Sequence, residues 1–237
     1  MSRTGAGRGK RWLLLALCLV GLVGFTALGL WQVERRAWKL DLIARVDRRV
    51  HAPPVPLALT PQRSVWGNPR NIEYRHVQVS GTFRHDRETL VDALTELGPG
   101  YWVLTPLETA AGTVLVNRGF VPREDKGRVS RPAGPIAITG LMRLPEPNGR
   151  FLRPNRPAQD LWYSRDVAAI ARARGLGPVN PFFIDADATA APGWPRGGLT
   201  VIQFRNTHLI YALTWFGLAI LSLAGLVLLL RPAHKQD

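Results

Sequence analysis

WLLLALCLVGLVGFTALGLW, residues 12–31, is a run of twenty residues without a charged side chain. At about 1.5 Å per residue it spans about 30 Å, the thickness of a bilayer's hydrocarbon core. A helix that is apolar on every side for that length has no face for water, so the run is read as a transmembrane helix. Trp12 and Trp31 stand at its two ends, where aromatic residues favour the lipid–water boundary. A second uncharged run, LIYALTWFGLAILSLAGLVLLL at 209–230, lies near the other end of the chain, with Tyr211 and Trp215 close to its start. The competing reading of the first run is a cleaved signal peptide, with Arg3, Arg8, Lys10 and Arg11 as its charged region and Ala27-x-Gly29 as a small-residue cleavage site. The apolar core exceeds the usual length of about 7–15 residues, and the sequence after it stays helical in pattern, which favours an uncleaved anchor. These two runs exclude an ordinary soluble enzyme.

Two spans return the chain to the side it started from. The tail at 1–11 holds four basic residues and no acid, and Arg231 and Lys235 lie in the tail at 231–237. Basic ends stay in the cytoplasm. Arg35, Arg36 and Lys39 follow the first span, but a segment as long as 32–208 translocates largely regardless of charge. The expectation is therefore two cytoplasmic tails and an external domain at 32–208. The chain carries 31 Lys+Arg against 17 Asp+Glu, a net charge of +14. For a domain tethered outside the cytoplasm this points to anionic lipid or an acidic partner rather than nucleic acid. Cys18, the one cysteine, lies inside the first span, so the external domain must hold itself with a packed core and no disulfide.

Beyond the first span, Val33, Ala37, Leu40, Ile43, Val46 and Val50 recur at helical spacing, which predicts an amphipathic helix over 32–50. His51-Ala-Pro-Pro-Val-Pro then stops it. Short β-rich stretches follow at 74–81, 89–92, 101–105, 113–117, 136–143 and 181–185, punctuated by Gly and Pro. One more helix is expected after Ser164 as its cap, with Val167, Ala168, Ile170 and Ala171 as its apolar stripe and Gly175 as its stop. The fold class is thus a membrane protein of α+β type. Two transmembrane helices flank a mainly antiparallel sheet or barrel-like domain with one or two helices.

Catalytic signatures are missing. The sequence has no G-x-S-x-G, no H-E-x-x-H, no phosphate-binding glycine loop and no C-x-x-C, and the domain does not read as an enzyme. Asp185 and Asp187 read as turn residues. His76 and His85 could share a sheet, but a third metal ligand is not evident.

The mouth of the second span, QFRNTHLIYALTWFGLA, is the most informative segment. His208 precedes the apolar run, and Tyr211, Ala212 and Trp215 follow three, four and seven residues later, on one helix face. Arg205 stands three residues before it. An imidazole at the membrane edge, with aromatic neighbours and a cation, suits a haem, since histidine ligates iron and arginine pairs with a propionate. The same residues also suit a plain interfacial anchor. Trp31, Gln32 and Arg35, at the exit of the first span, could face His208 or simply meet head groups.

Seven segments, in order, carry a resemblance: Leu28-Gly-Leu-Trp-Gln-Val-Glu-Arg-Arg-Ala-Trp-Lys-Leu, Glu73-Tyr-Arg-His-Val-Gln-Val-Ser-Gly-Thr-Phe, Val116-Asn-Arg-Gly-Phe-Val-Pro-Arg, Gly140-Leu-Met-Arg-Leu, Leu161-Trp-Tyr-Ser-Arg-Asp, Pro181-Phe-Phe-Ile-Asp-Ala and Arg205-Asn-Thr-His-Leu-Ile-Tyr-Ala-Leu-Thr-Trp-Phe. With two spans in the right places, the chain resembles the Surfeit locus protein 1 family of cytochrome c oxidase assembly factors over nearly its whole length. The resemblance implies two spans with the domain between them facing the periplasm or the mitochondrial intermembrane space. It implies a role in maturing haem–copper oxidases, with the largest oxidase subunit and enzymes of haem a synthesis as partners. It also implies haem a as the cofactor and His208 as the candidate iron ligand. Without a long presequence the chain looks like a bacterial member, seated in the inner membrane. Arg118, in the Asn117–Arg123 run, is either a propionate or acidic-partner contact or part of a strand end. The alternative function is a scaffold that stabilises an oxidase intermediate and never ligates haem. The small residues Gly21, Gly24, Ala27 and Gly29 would serve that role by helix packing.

Overall fold

The computed structural model describes residues 3–57, 72–110, 112–150, 152–188, 192–200, 202, 204 and 206–231, and of residues 3–8 the backbone alone. The chain forms two compact units, Met1–Arg45 with Gln203–Asp237, and Val46–Ile202.

The first unit is built from two helices. α1 runs without a break from Arg3 to Val50, and α3 from His208 to Leu230. Both are long and apolar enough to cross a membrane, and little of either apolar stretch is buried by protein. They pack antiparallel, with Arg11 beside Leu229 and Gln32 beside His208. Arg11 donates through Nε and Nη2 to the Leu229 carbonyl, at 3.1 and 2.6 Å, and so satisfies one of the carbonyls that the end of α3 leaves open. Small residues permit the close approach. A Cβ on Gly29 would sit 2.5 Å from the Phe216 ring, and one on Gly21 would sit 2.9 Å from Ser222 Oγ. Phe25 stacks on Trp215 at 5.7 Å. The face of α1 that meets α3 therefore passes through Gly21, Phe25, Gly29 and Gln32. Of the stripe expected beyond the span, Val33 and Leu40 are exposed and Val46 is buried.

The second unit is a β-barrel. Its strands are β1 (Val55–Pro56), β2 (His76–Phe83), β3 (Thr89–Thr95), β4 (Gly98–Thr109), β5 (Gly112–Pro122), β6 (Pro135–Arg143) and β7 (Val179–Ala186). The sheet order is β1-β2-β6-β7-β5-β4-β3, and an added β2–β4 pairing closes β2, β6, β7, β5 and β4 into a ring. Most pairs are antiparallel; β5–β7 and β1–β2 are parallel. The closing pairs are Thr82↔Glu108 and Phe83↔Leu107. Gly81 makes the closure possible, because a Cβ there would lie 2.3 Å from the Glu108 carbonyl oxygen.

Alternation along the strands divides the core between two faces. Val114 and Val116 of β5, with Phe182 and Ile184 of β7, join Val77, Val79, Leu107 and Met142 in one cluster. Leu115 and Phe183, the residues between them, face the other way, onto Val91, Leu104 and Trp162. There α2 (Val167–Ala173) buries Val167, Ile170 and Ala171. Burial of a large aliphatic side chain contributes about 1.5–3 kcal/mol.

Two local expectations are corrected. The N-cap of α2 is Asp166, whose side chain accepts from the Ala169 amide at 3.0 Å. Ser164 is committed elsewhere: its hydroxyl donates to Glu146 O at 2.6 Å and accepts from the Gly149 amide. Thr200 spends its hydroxyl on Asp185. Asp185 itself lies within β7, not in a turn.

Candidate functional site

His208 is the first residue of α3, after Thr207. Its Nδ1 lies 2.8 Å from Oε1 of Gln32, on α1. An amide oxygen can only accept, so Nδ1 donates, and in the neutral imidazole Nε2 then keeps its lone pair. Gln32 is only 9% exposed, a buried amide that the imidazole satisfies. Continuing along the helix from His208, Ala212 is buried and Trp215 stacks on Phe25. The expected face thus turns toward α1 at His208, Ala212 and Trp215, while Tyr211 is exposed.

The same end of the helix pair carries Lys39, whose Nζ lies 5.2 Å above the Phe204 ring. The Asn206 carboxamide oxygen there is buried and, among the described residues, has no hydrogen-bond partner. Trp31 is exposed, and the Arg35 guanidinium stacks 4.4 Å over Trp38. Of the residues at the exit of the first span, Gln32 is the one that engages His208. Arg205 lies outside the described residues.

Arg118 belongs to the second unit and is engaged there. It pairs with Glu88 at 3.3 Å, both side chains being nearly buried, donates to the Ser130 carbonyl, and lies 5.1 Å over the Phe83 ring. Burial pulls its guanidinium below the usual value, while Glu88 opposes that shift.

Sequence reasoning missed the charge network at Asp185, which is 3% exposed. Its carboxylate accepts from Asn117 Nδ2 at 2.8 Å, Arg143 Nη1 at 3.0 Å, Arg165 Nη1 at 3.1 Å and Thr200 Oγ1 at 3.1 Å. Arg165 also pairs with Glu146. Burial works against the Arg165 charge, but Asp185 and Glu146 hold it above its usual value. A polar cavity of about 170 Å³ adjoins the network, lined by Trp102, Asn117, Arg143, Arg165 and Thr200 among others. The missed signal was the position of Asp185 at the end of an apolar strand, with arginines in the segments at 140–144 and 161–166. His76 bonds Asp187, and His85 Nε2 bonds the Pro132 carbonyl. Among the described residues no group of three or more His, Cys, Asp or Glu side chains is placed to hold a metal ion.

A family model described as the SURF1 family matches residues 19–220, a stretch that takes in Gln32 and His208. Surfeit locus protein 1 of Homo sapiens is 40% identical over 232 residues, covering 88% of this chain and 73% of that protein. Surfeit locus protein 1 of Rattus norvegicus is 40% identical over 213 residues, covering 81% and 67%. A SURF1-like protein of Monosiga brevicollis is 35% identical over 250 residues, covering 98% and 91%.

Proposed function

The chain belongs to the SURF1 family, and from that premise we propose that it is an assembly factor for a haem–copper terminal oxidase, holding haem a at His208 for delivery to the oxidase's largest subunit. It acts by binding, not by catalysis. Its barrel lies on the periplasmic side of a bacterial inner membrane, and both ends of the chain lie in the cytoplasm. Its partners are the oxidase subunit, the enzymes that supply haem a, and the surrounding lipid.

One observation carries the haem reading: the His208–Gln32 hydrogen bond of 2.8 Å at the mouth of an apolar helix pair. Orientation of a ligating imidazole through its other ring nitrogen is the usual arrangement at metal sites. Gln32 fixes the ring and leaves Nε2 as the free donor atom. His208 would supply a ligand to the haem iron, and the haem would supply the redox chemistry to the recipient enzyme. The buried, unpartnered Asn206 oxygen offers a polar contact at the same end, and Lys39 offers a cation for a propionate. A single ligating histidine suits a carrier, which must release what it holds.

Purification from cells that make haem a tests the reading, through absorption spectra of the wild type beside His208→Ala. Haem that co-purifies with the wild type, and is lost or spectrally altered in the variant, supports it. A colourless wild type, or identical spectra, removes His208 as ligand and leaves the scaffold role.

A further inference from the structure

We infer that His76 is a pH-operated latch that fastens the segment following α1 to the rim of the barrel. His76 opens β2. Its Nδ1 lies 2.8 Å from the Ala52 carbonyl oxygen, and its Nε2 lies 2.7 Å from Oδ2 of Asp187. Both partners are acceptors. A neutral imidazole has one N–H and can satisfy one of them; the imidazolium has two and satisfies both. The geometry therefore selects the cation. The side chain is 17% exposed, so water does not readily replace either bond.

The surroundings leave Asp187 in control. From the segment after β7, Asp187 faces the ring; from the segment before β1, Ala52 offers backbone alone. On β6, Leu141 stands opposite in register and does not titrate. Arg143, farther along β6, is bonded to Asp185 and lies over Tyr74. Just before its strand, Arg75 is exposed, and Glu73 pairs with Arg143 at 3.8 Å. Burial opposes the charge, but the bonds to Asp187 and Ala52 and the Asp187 charge outweigh it, and the ring titrates above its ordinary 6.5.

Beside the latch, Leu57 packs against the core and a short strand pairing holds the segment. β1 is two residues long and pairs Val55↔Val77 and Pro56↔Gln78, and the Leu57 amide donates to Gln78 O at 2.8 Å. So short a pairing opens at low free energy. Because the latched value is raised, the latch contributes fully below the ring's ordinary value and is lost as pH rises through the latched value.

The test is NMR of the full-length chain in detergent micelles, with ring nitrogens labelled at histidine and amide exchange followed at Leu57. At about pH 6 both His76 nitrogens carry protons. As the ring loses its proton, protection of the Leu57 amide, corrected for intrinsic exchange, falls by up to about tenfold per pH unit. Asp187→Asn lowers the His76 midpoint and moves the loss of protection with it; His76→Gln abolishes the pH dependence. A ring with one N–H at that pH, or Leu57 protection that ignores the His76 titration, overturns the latch.

Discussion

Replacing Asp185 by alanine removes one carboxylate and strands two guanidiniums. Arg143 and Arg165 are 15% and 13% exposed, and both aim Nη1 at Asp185. After the substitution Arg165 keeps Glu146, while Arg143 keeps Glu73, at 3.8 Å, and the Tyr74 ring. Asn117 and Thr200 lose their acceptor as well. Removal of one partner from a buried ion pair costs about 3–5 kcal/mol, mostly through the uncompensated charge left behind. For a domain of this size each kcal/mol lowers the unfolding midpoint by about 2–4 °C. The expected loss is therefore about 6–20 °C in a thermal scan of the full chain in detergent, followed by near-ultraviolet circular dichroism at one fixed scan rate. Asp86→Ala is the control, because that carboxylate pairs with Arg84 and Arg87 in solvent; its midpoint should match the wild type. A drop for Asp185→Ala no larger than that of the control would refute the reasoning, since the network would then be no more than a surface contact.

Further outcomes follow from other contacts. Gly29→Ala places a Cβ against the Phe216 ring, at 2.5 Å in the present packing, and overpacking of this kind costs about 1–3 kcal/mol. Gly24→Ala, with open space around it, should leave the helix pair unchanged, and cysteine cross-linking between α1 and α3 will separate the two. Gln32→Leu removes the His208 partner; it should loosen haem retention and shift the absorption bands while the barrel's thermal midpoint stays constant. Glu146 offers a pH test. Burial pushes its carboxyl up, but the hydrogen bond and charge of Arg165 more than offset this and hold it below its ordinary 4.5. Its contribution is therefore complete above that ordinary value and disappears as pH falls through the lowered one. Acid unfolding of Glu146→Gln should begin from a lower stability and show a shallower dependence on pH in that window.

Short-range chemistry was legible along the chain. The short apolar stretch Pro181-Phe-Phe-Ile-Asp identified β7, and the apolar runs at 12–31 and 209–230 identified the membrane helices. The prolines at 53–56 marked the end of α1. Where a residue had two competing partners, the local rule chose wrongly. Ser164 is a good cap by type, yet Asp166 caps α2 because Glu146 and Gly149 take the serine first. Asp185 is a good turn residue by type, yet it is buried because two arginines from distant segments arrive beside it.

The sequence alone determined that two apolar helices long enough to cross a membrane flank a β-rich domain, since an uncharged run and strand periodicity are both local features. It also marked His208, through its place at the edge of an apolar helix. The tertiary structure decided which face of α1 meets α3, that Gln32 rather than Trp31 reaches His208, that the sheet closes through β2 and β4, and that Asp185 balances two buried arginines. Each of those is a pairing between residues far apart in the chain. Such a pairing is set by steric fit and by the cost of leaving a polar group unpartnered, and neither quantity exists until both partners have been brought together.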